Sequence, residues 1–124
     1  MATDVGAALA AARKTWGETG EILLDTGLTY GDGTAVEILI RKRGRRYDLG
    51  DRGVATRKAG RPRRWLETAE RVVAEEGFNV NRAGVVFVPA VEGRDLAALA
   101  LRLADTCLAV HSELLELADE TVRP

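Results

Sequence analysis

The spacing of apolar residues changes along the chain from a helical to a strand-like period. Apolar residues from Val5 to Trp16 recur at 4-3-4 spacing, which predicts an amphipathic helix over residues 4–16. From residue 21 onward the period becomes two, as is typical of half-buried strands, and glycine-rich turns interrupt it. The pattern predicts an antiparallel meander of three strands, at about 21–30, 35–42 and 45–50.

A second group of elements follows this meander. Residues 54–59 allow one short helix, and a stronger amphipathic pattern predicts a helix over 62–76. Two short apolar runs, at 78–81 and 85–88, predict a hairpin. We expect Pro89 to end the ladder of this hairpin, because proline has no N–H to donate.

The most apolar segment predicts a long helix over residues 95–118. Two parallel rows of apolar residues run along it, one from Leu96 to Leu117 and the other from Ala97 to Leu115. One sheet face covers one row, so two rows indicate either a helix buried on two sides or a helix that also pairs with a second copy. Burial within one domain is favoured, and a homodimer through this helix is the alternative.

Length and composition set the class of protein. A chain of 124 residues, 46% apolar and 30% charged, is sufficient for one globular domain. The element order predicts a single α+β domain over residues 1–124, in which the meander and second hairpin form a largely antiparallel sheet packed by an N-terminal, a central and a C-terminal helix. No uncharged stretch approaches about 18 residues and the first residues lack a basic signal region, so neither a membrane contact nor secretion is expected. A single cysteine agrees with a cytoplasmic location.

Charge is strongly segregated, although the net charge is only −1. Residues 41–64 carry 11 basic and 2 acidic side chains, whereas residues 1–40 and 65–124 are both acidic. Nine of the 11 basic residues are arginine, which forms bidentate contacts with carboxylates and phosphates. Two interpretations remain open: the block pairs with the protein's own carboxylates, or it is a surface for an acidic partner.

The densest part of this block is predicted to lie at the tip of the meander's second hairpin, where like charges stay solvated. An acidic partner is therefore predicted. A protein partner is favoured over nucleic acid because the chain as a whole is slightly acidic and both flanks of the block are acidic. The predicted partner-binding residues are Arg41, Lys42, Arg43, Arg45, Arg46, Arg57 and Arg61.

Two pairs of residues are the strongest candidates for catalysis. Cys107 and His111 share one helix face and could form a thiolate–imidazole pair, but both lie within leucine rows, where cysteine usually acts as a small core residue. Asp48 and Asp51 could bind a metal or act as acid and base, but they stand at a strand end, where carboxylates commonly satisfy loop N–H groups. The structural interpretation is favoured for both pairs.

Other chemistries lack the residues that they need. A metal-dependent nuclease often places a lysine two residues after a strand carboxylate, whereas here Leu39 follows Glu37. The run Gly31-Asp32-Gly33 is too short for a phosphate-binding loop, and one cysteine with one histidine cannot complete a zinc site. Trp65 is assigned to the core, while a core position and a base-stacking position both remain open for Tyr47. No catalytic, cofactor-binding or metal-binding residues are assigned.

Four stretches between about residues 20 and 118 follow the order of one known family. They are a strand at 22–25 leading to Gly31-Asp32-Gly33, the segment Tyr47–Gly53, the helix end Glu75-Glu76-Gly77-Phe78, and the hairpin Val80–Val88 before the last helix. Together they resemble the bacterial and phage family catalogued as domain of unknown function eighteen twenty-eight, although Gly50 stands where that family usually has threonine. The resemblance implies a small α+β domain and carries no established activity or catalytic residues.

The sequence thus predicts a small, non-enzymatic binding module that needs no cofactor and acts through protein–protein contacts. The alternative is a nucleic-acid-binding module that uses the basic segment 41–64.

Overall fold

The computed structural model of this protein describes residues 20–122 and the single position Gly6. The helix predicted over residues 4–16 therefore lies outside the described residues, apart from Gly6. The described strands are β1 (Glu21–Thr29), β2 (Ala35–Arg43), β3 (Arg46–Gly50), β4 (Asn79–Val80) and β5 (Val86–Val91). The described helices are α1 (Val54–Lys58), α2 (Trp65–Glu75) and α3 (Leu96–Val122), and a 3-10 turn (Gly93–Asp95) precedes α3.

The described strands form one antiparallel sheet in the order β1-β2-β3-β5-β4. The meander occupies the first three positions because each of its strands pairs with the next. β5 then pairs with β3, and β4 pairs with β5 at the far edge. The predicted α+β class with a largely antiparallel sheet is confirmed.

The inner face of the sheet is one wall of the core. On β2 the side chains of Val36, Ile38 and Ile40 are fully buried, as the period of two predicts. α3 packs against this face and contacts β1, β2, β3 and β5. Its buried row consists of Leu96, Ala100, Leu103, Cys107, Val110 and Leu114.

The second row of α3 is only partly covered. Ala104 is fully buried, whereas Leu101 is 40% exposed and Leu115 is 46% exposed. The first row of α3 therefore fills the core of the domain, and pairing of two copies through the second row stays a prediction.

The expectation that Pro89 ends the ladder is wrong. β5 continues to Val91, which pairs with Tyr47 on β3, and the register shifts between Tyr47 and Leu49. A bulge of this kind accommodates a residue that has no N–H for the ladder. Ala90, at φ 56°, donates its N–H to Asp48 Oδ1 at 3.0 Å instead.

The bounds of other elements also differ from the predicted ones. The helix predicted over 62–76 begins at Trp65, because the Trp65 N–H closes a turn onto Pro62 O and Arg64 is in the left-handed region. The strand predicted over 78–81 shortens to β4, since Asn81 bonds with Val85 across the turn. The last helix begins one residue later than predicted and continues to Val122.

Candidate interaction surfaces

The basic block of the sequence is divided between the two ends of the sheet. Residues 41–46 surround the turn between β2 and β3, whereas residues 52–64 follow the other end of β3. β3 has 5 residues, so at about 3.3 Å per residue the two groups lie about 15 Å apart. The turn 81–84 joins the second group, because Ala83 O accepts a hydrogen bond from Arg61. We call residues 41–46 the hairpin end, and residues 52–64 with 81–84 the loop end.

Most arginines of the hairpin end are paired with carboxylates of the same chain. Each pair joins neighbouring strands or a strand and a loop, and its side chains stay in contact with solvent, so its stabilising contribution is at most about 1 kcal/mol. Lys42 and Arg45 have no acidic partner among the described residues. The closest N···O distances are 2.6 Å for Arg41–Glu21, 2.9 Å for Arg43–Asp48 and 3.2 Å for Arg46–Glu92.

The loop end keeps more unpaired positive charge. Arg57, Arg63 and Arg82 are exposed, and no described carboxylate forms an ion pair with any of them. Three other bases at this end are paired with carboxylates, with N···O distances of 3.2 Å for Arg52–Glu37, 2.6 Å for Lys58–Asp32 and 2.8 Å for Arg64–Glu67.

Arg61 is held in place at the centre of the loop end. Its Nη2 donates to Ala83 O at 2.6 Å and its Nε donates to Thr56 Oγ1 at 3.2 Å. The guanidinium also lies 5.1 Å above the ring of Trp65, within the range of a cation–π contact. These contacts are to neutral groups, so they fix the side chain without neutralising its charge.

The outer face of the sheet carries an apolar row with one gap. Leu23 on β1 pairs with Leu39 on β2, Leu39 pairs with Gly50 on β3, and Gly50 pairs with Phe87 on β5. Leu23 is 45% exposed, and Leu39 and Phe87 are half-buried. Because residue 50 has no side chain, a shallow depression of about 260 Å³ opens between Leu39 and Phe87. Pro89 and two charged residues, Arg41 of the hairpin end and Asp48, also line this depression.

Asp51 is used by the fold. Its carboxylate is fully buried, and it accepts hydrogen bonds from three backbone N–H groups, so it holds α1 and β5 together. Asp48 accepts one hydrogen bond from Arg43 and another from the Ala90 N–H. Together these two bonds lower the pKa of Asp48 and keep it ionised. The donors to Asp51 are Gly53 (2.8 Å), Ala55 (3.0 Å) and Val86 (2.9 Å).

Cys107 lies in the core, as the leucine rows of α3 predict. Burial raises the pKa of its thiol, and the negative charge of Asp51 raises it further. A thiol in this environment stays protonated and is a poor nucleophile. His111 lies edge-on to Tyr30, with 5.2 Å between ring centroids, and burial lowers the pKa of its imidazole.

The seven predicted partner-binding residues do not form one surface. Five of them lie at the hairpin end, whereas Arg57 and Arg61 lie at the loop end. Arg82 was not among the predicted residues, because it lies outside the basic block 41–64 in the sequence. The turn 81–84 brings it to the loop end. The apolar row was also not predicted from the sequence. The signal for it was Leu39, an apolar residue at an outward-facing position of β2, where the alternation predicts a polar residue. Trp65 and Tyr47 both pack against the core.

No protein-family model matches the chain, no curated protein matches it, and no solved structure matches it. The resemblance to the family named above therefore stays a prediction. Among the described residues, no helix has the length and apolar character needed to cross a bilayer. The same residues contain no cluster of three or more histidine, cysteine or carboxylate side chains placed to hold a metal ion.

Proposed function

We propose that this domain is a non-enzymatic binding module of bacterial or phage origin, and that it binds an acidic partner protein on the outer sheet face. The observation that carries the proposal is the position of the depression, which lies between Leu39 and Phe87 and is lined by Arg41 of the hairpin end and by Asp48, a carboxylate already paired with Arg43. An apolar centre beside a charged rim is typical of protein–protein interfaces.

The charge of the rim favours an acidic partner. Three arginines of the hairpin end already contact carboxylates of the chain, and Lys42 shares the strand parity of the inward-facing Ile40, so it belongs to the other face of the sheet. Arg45, in the turn, has no acidic partner among the described residues and leaves the rim with a positive excess. Carboxylates of a partner would relieve the repulsion between these bases and would steer the partner toward the apolar row.

The size of the depression favours a protein side chain over a free small molecule. Ligand pockets commonly enclose about 300–1,000 Å³ and bury most of the ligand. The depression between Leu39 and Phe87 has about 260 Å³ and is open on one side. It suits one apolar anchor residue of a partner, and such anchors dominate the binding energy of many interfaces.

The state of the titratable residues supports a role without catalysis. Asp51 is fully occupied by backbone N–H groups, Asp48 is held ionised by Arg43, and the Cys107 thiol is buried and protonated. Asp51 and Cys107 have no access to solvent, and Asp48 is tied to Arg43, so none of the three is free to act as an acid, base or nucleophile.

A random peptide library displayed on phage tests this proposal. We expect the domain to select peptides that combine an apolar or aromatic residue with nearby aspartate or glutamate. Gly50→Thr fills the gap in the row, and a Cβ at this position meets its nearest neighbour, Val85 Cγ1, at an ordinary 3.4 Å. This variant should fold and should bind the selected peptides at least about tenfold more weakly, which corresponds to about 1.4 kcal/mol.

Leu101→Gln is the matched control, because Leu101 is an exposed apolar residue on α3, away from the sheet face. It should leave peptide binding unchanged. The proposal is wrong if no acidic apolar peptides are enriched, or if Gly50→Thr binds the enriched peptides as tightly as the unchanged protein.

A further inference from the structure

The loop end carries a group of arginines that the outer sheet face does not use. Once the ion pairs of this region are taken into account, four arginines remain without a carboxylate partner among the described residues. Arg57 and Arg63 project from the segment after β3, and Arg82 comes from the turn 81–84. Arg61 joins the two segments through its bond to Ala83 O. We call Arg57, Arg61, Arg63 and Arg82 the loop-end group.

Three acidic residues close to this group along the chain or in contact with its neighbours are already engaged. Asp32 contacts Lys58 at 2.6 Å, Glu67 contacts Arg64 at 2.8 Å, and Asp51 is buried among backbone N–H groups. Since these carboxylates are engaged elsewhere, the charges of Arg57, Arg63 and Arg82 remain in solvent, while Arg61 is half-buried and bonded only to neutral groups. Repulsion among them is relieved only by salt or by a bound polyanion.

The loop end also lacks the apolar centre that a protein partner would use. Among the described residues, the large apolar side chains that are most exposed are Leu23, Leu101 and Leu115, and each of them belongs to β1 or α3. Trp65 is half-buried and lies under the Arg61 guanidinium, so its face is not open for stacking. Exposed charge without an apolar centre is typical of contacts to a phosphate backbone, where counterion release supplies the affinity.

The backbone of this region adds a second observation. Arg61 and Arg64 have φ values of 46° and 67°, in the left-handed region that non-glycine residues rarely occupy. In this conformation the Arg61 side chain donates to Ala83 O and to Thr56. These two bonds hold its charge between the segment after β3 and the turn 81–84. A costly backbone conformation that positions a charge agrees with a binding role for that charge.

We propose that the loop-end group binds the phosphate backbone of nucleic acid, independently of base sequence. None of the four arginines of the loop-end group lines the depression on the outer sheet face. The two proposals therefore rest on different side chains, and each can fail without the other.

Fluorescence anisotropy with labelled oligonucleotides of about 20 nucleotides, single-stranded and duplex, tests the proposal between about 20 and 200 mM salt. Four neutralised phosphates predict a slope of about −3 for log affinity against log salt. Arg57→Ala, Arg63→Ala and Arg82→Ala combined should reduce the slope to about −1 and weaken binding at low salt at least about tenfold.

The matched control removes the same charge from the opposite end, as Arg41→Ala, Arg43→Ala and Arg46→Ala combined. It should leave the slope unchanged, because those guanidinium groups are already paired. The inference is overturned if neither oligonucleotide binds at about 20 mM salt, or if the control loses as much affinity as the test variant. Equal affinity for poly-glutamate of the same charge would assign the surface to an acidic protein instead.

Discussion

Removing the buried carboxylate of Asp51 should destabilise the whole domain. The carboxylate is fully buried, and three backbone N–H groups from α1, its preceding turn and β5 donate to it. In Asp51→Ala these donors lose their acceptor and cannot reach water without opening the structure. A buried polar group left without a partner costs about 1–3 kcal/mol. Three such groups, with some relaxation, predict a loss of about 3–6 kcal/mol, a large part of a typical stability of about 5–15 kcal/mol.

Asp51→Asn keeps a side chain of the same size and changes only its hydrogen bonds, so it distinguishes the loss of the hydrogen bonds from the loss of the side chain's volume. Gly53 and Val86 donate to Oδ1, whereas Ala55 donates to Oδ2. An asparagine in the same orientation keeps an oxygen for the first two donors and places an NH₂ group against the third. The expected loss is therefore about 1–3 kcal/mol, clearly smaller than for alanine.

Urea unfolding, followed by circular dichroism, measures the free energy of unfolding of both variants. An unchanged dependence of this free energy on urea concentration shows that the folded and unfolded states expose the same surface as in the unchanged protein. Glu37→Gln is the control, because the Glu37–Arg52 pair is exposed and should contribute at most about 1 kcal/mol. If Asp51→Ala unfolds within about 0.5 kcal/mol of the unchanged protein, the three N–H groups do not depend on this carboxylate and the reasoning is wrong.

Two further predictions concern a close approach and a buried phenol. Gly84 has φ 85°, and a Cβ there would overlap the Thr56 hydroxyl and the Arg61 guanidinium, so Gly84→Ala should cost at least about 1–3 kcal/mol in urea unfolding, while Gly31→Ala, with open space around it, should change little. Burial raises the pKa of Tyr30 in the folded protein. Its contribution to the free energy of unfolding is therefore complete below the pKa of about 10 that tyrosine has in the unfolded chain, and it is lost as the pH rises above that value. Unfolding free energy should therefore fall between about pH 10 and 11 and fall less in Tyr30→Phe; equal slopes in both proteins would contradict this.

The separation of the two basic regions matters for any binding study of this protein. A variant that removes charge from the hairpin end tests a different surface from one that removes charge at the loop end. Substituting an arginine of the hairpin end also breaks an ion pair within the protein, such as Arg43–Asp48, in addition to changing the charge of the surface. Paired substitutions at both ends, compared with each other, distinguish loss of a contact from loss of overall charge.

The sequence alone was sufficient for the elements whose signal is local. The period of two in β2 predicted that Val36, Ile38 and Ile40 are buried, and the row along the last helix predicted the side that fills the core. Both patterns arise because side chains alternate on a strand and return to one face of a helix every three to four residues. The structural use of Asp51 was also accessible, since a carboxylate after a strand commonly accepts loop N–H groups.

Tertiary structure alone decided which charges meet and which stay free. Arg61 bonds to Ala83, 22 residues away, and Val91 pairs with Tyr47 beyond a proline that local rules placed at the end of the ladder. The order β3-β5-β4 brings the turn 81–84 beside the arginines after β3, and the pairing of β2 with β3 brings Asp48 to Arg43. These contacts follow from strand register and from long-range packing. A contiguous basic block in the sequence therefore divides into two regions at opposite ends of the same sheet. Each region contains paired and unpaired bases, and the loop end holds more of the unpaired ones.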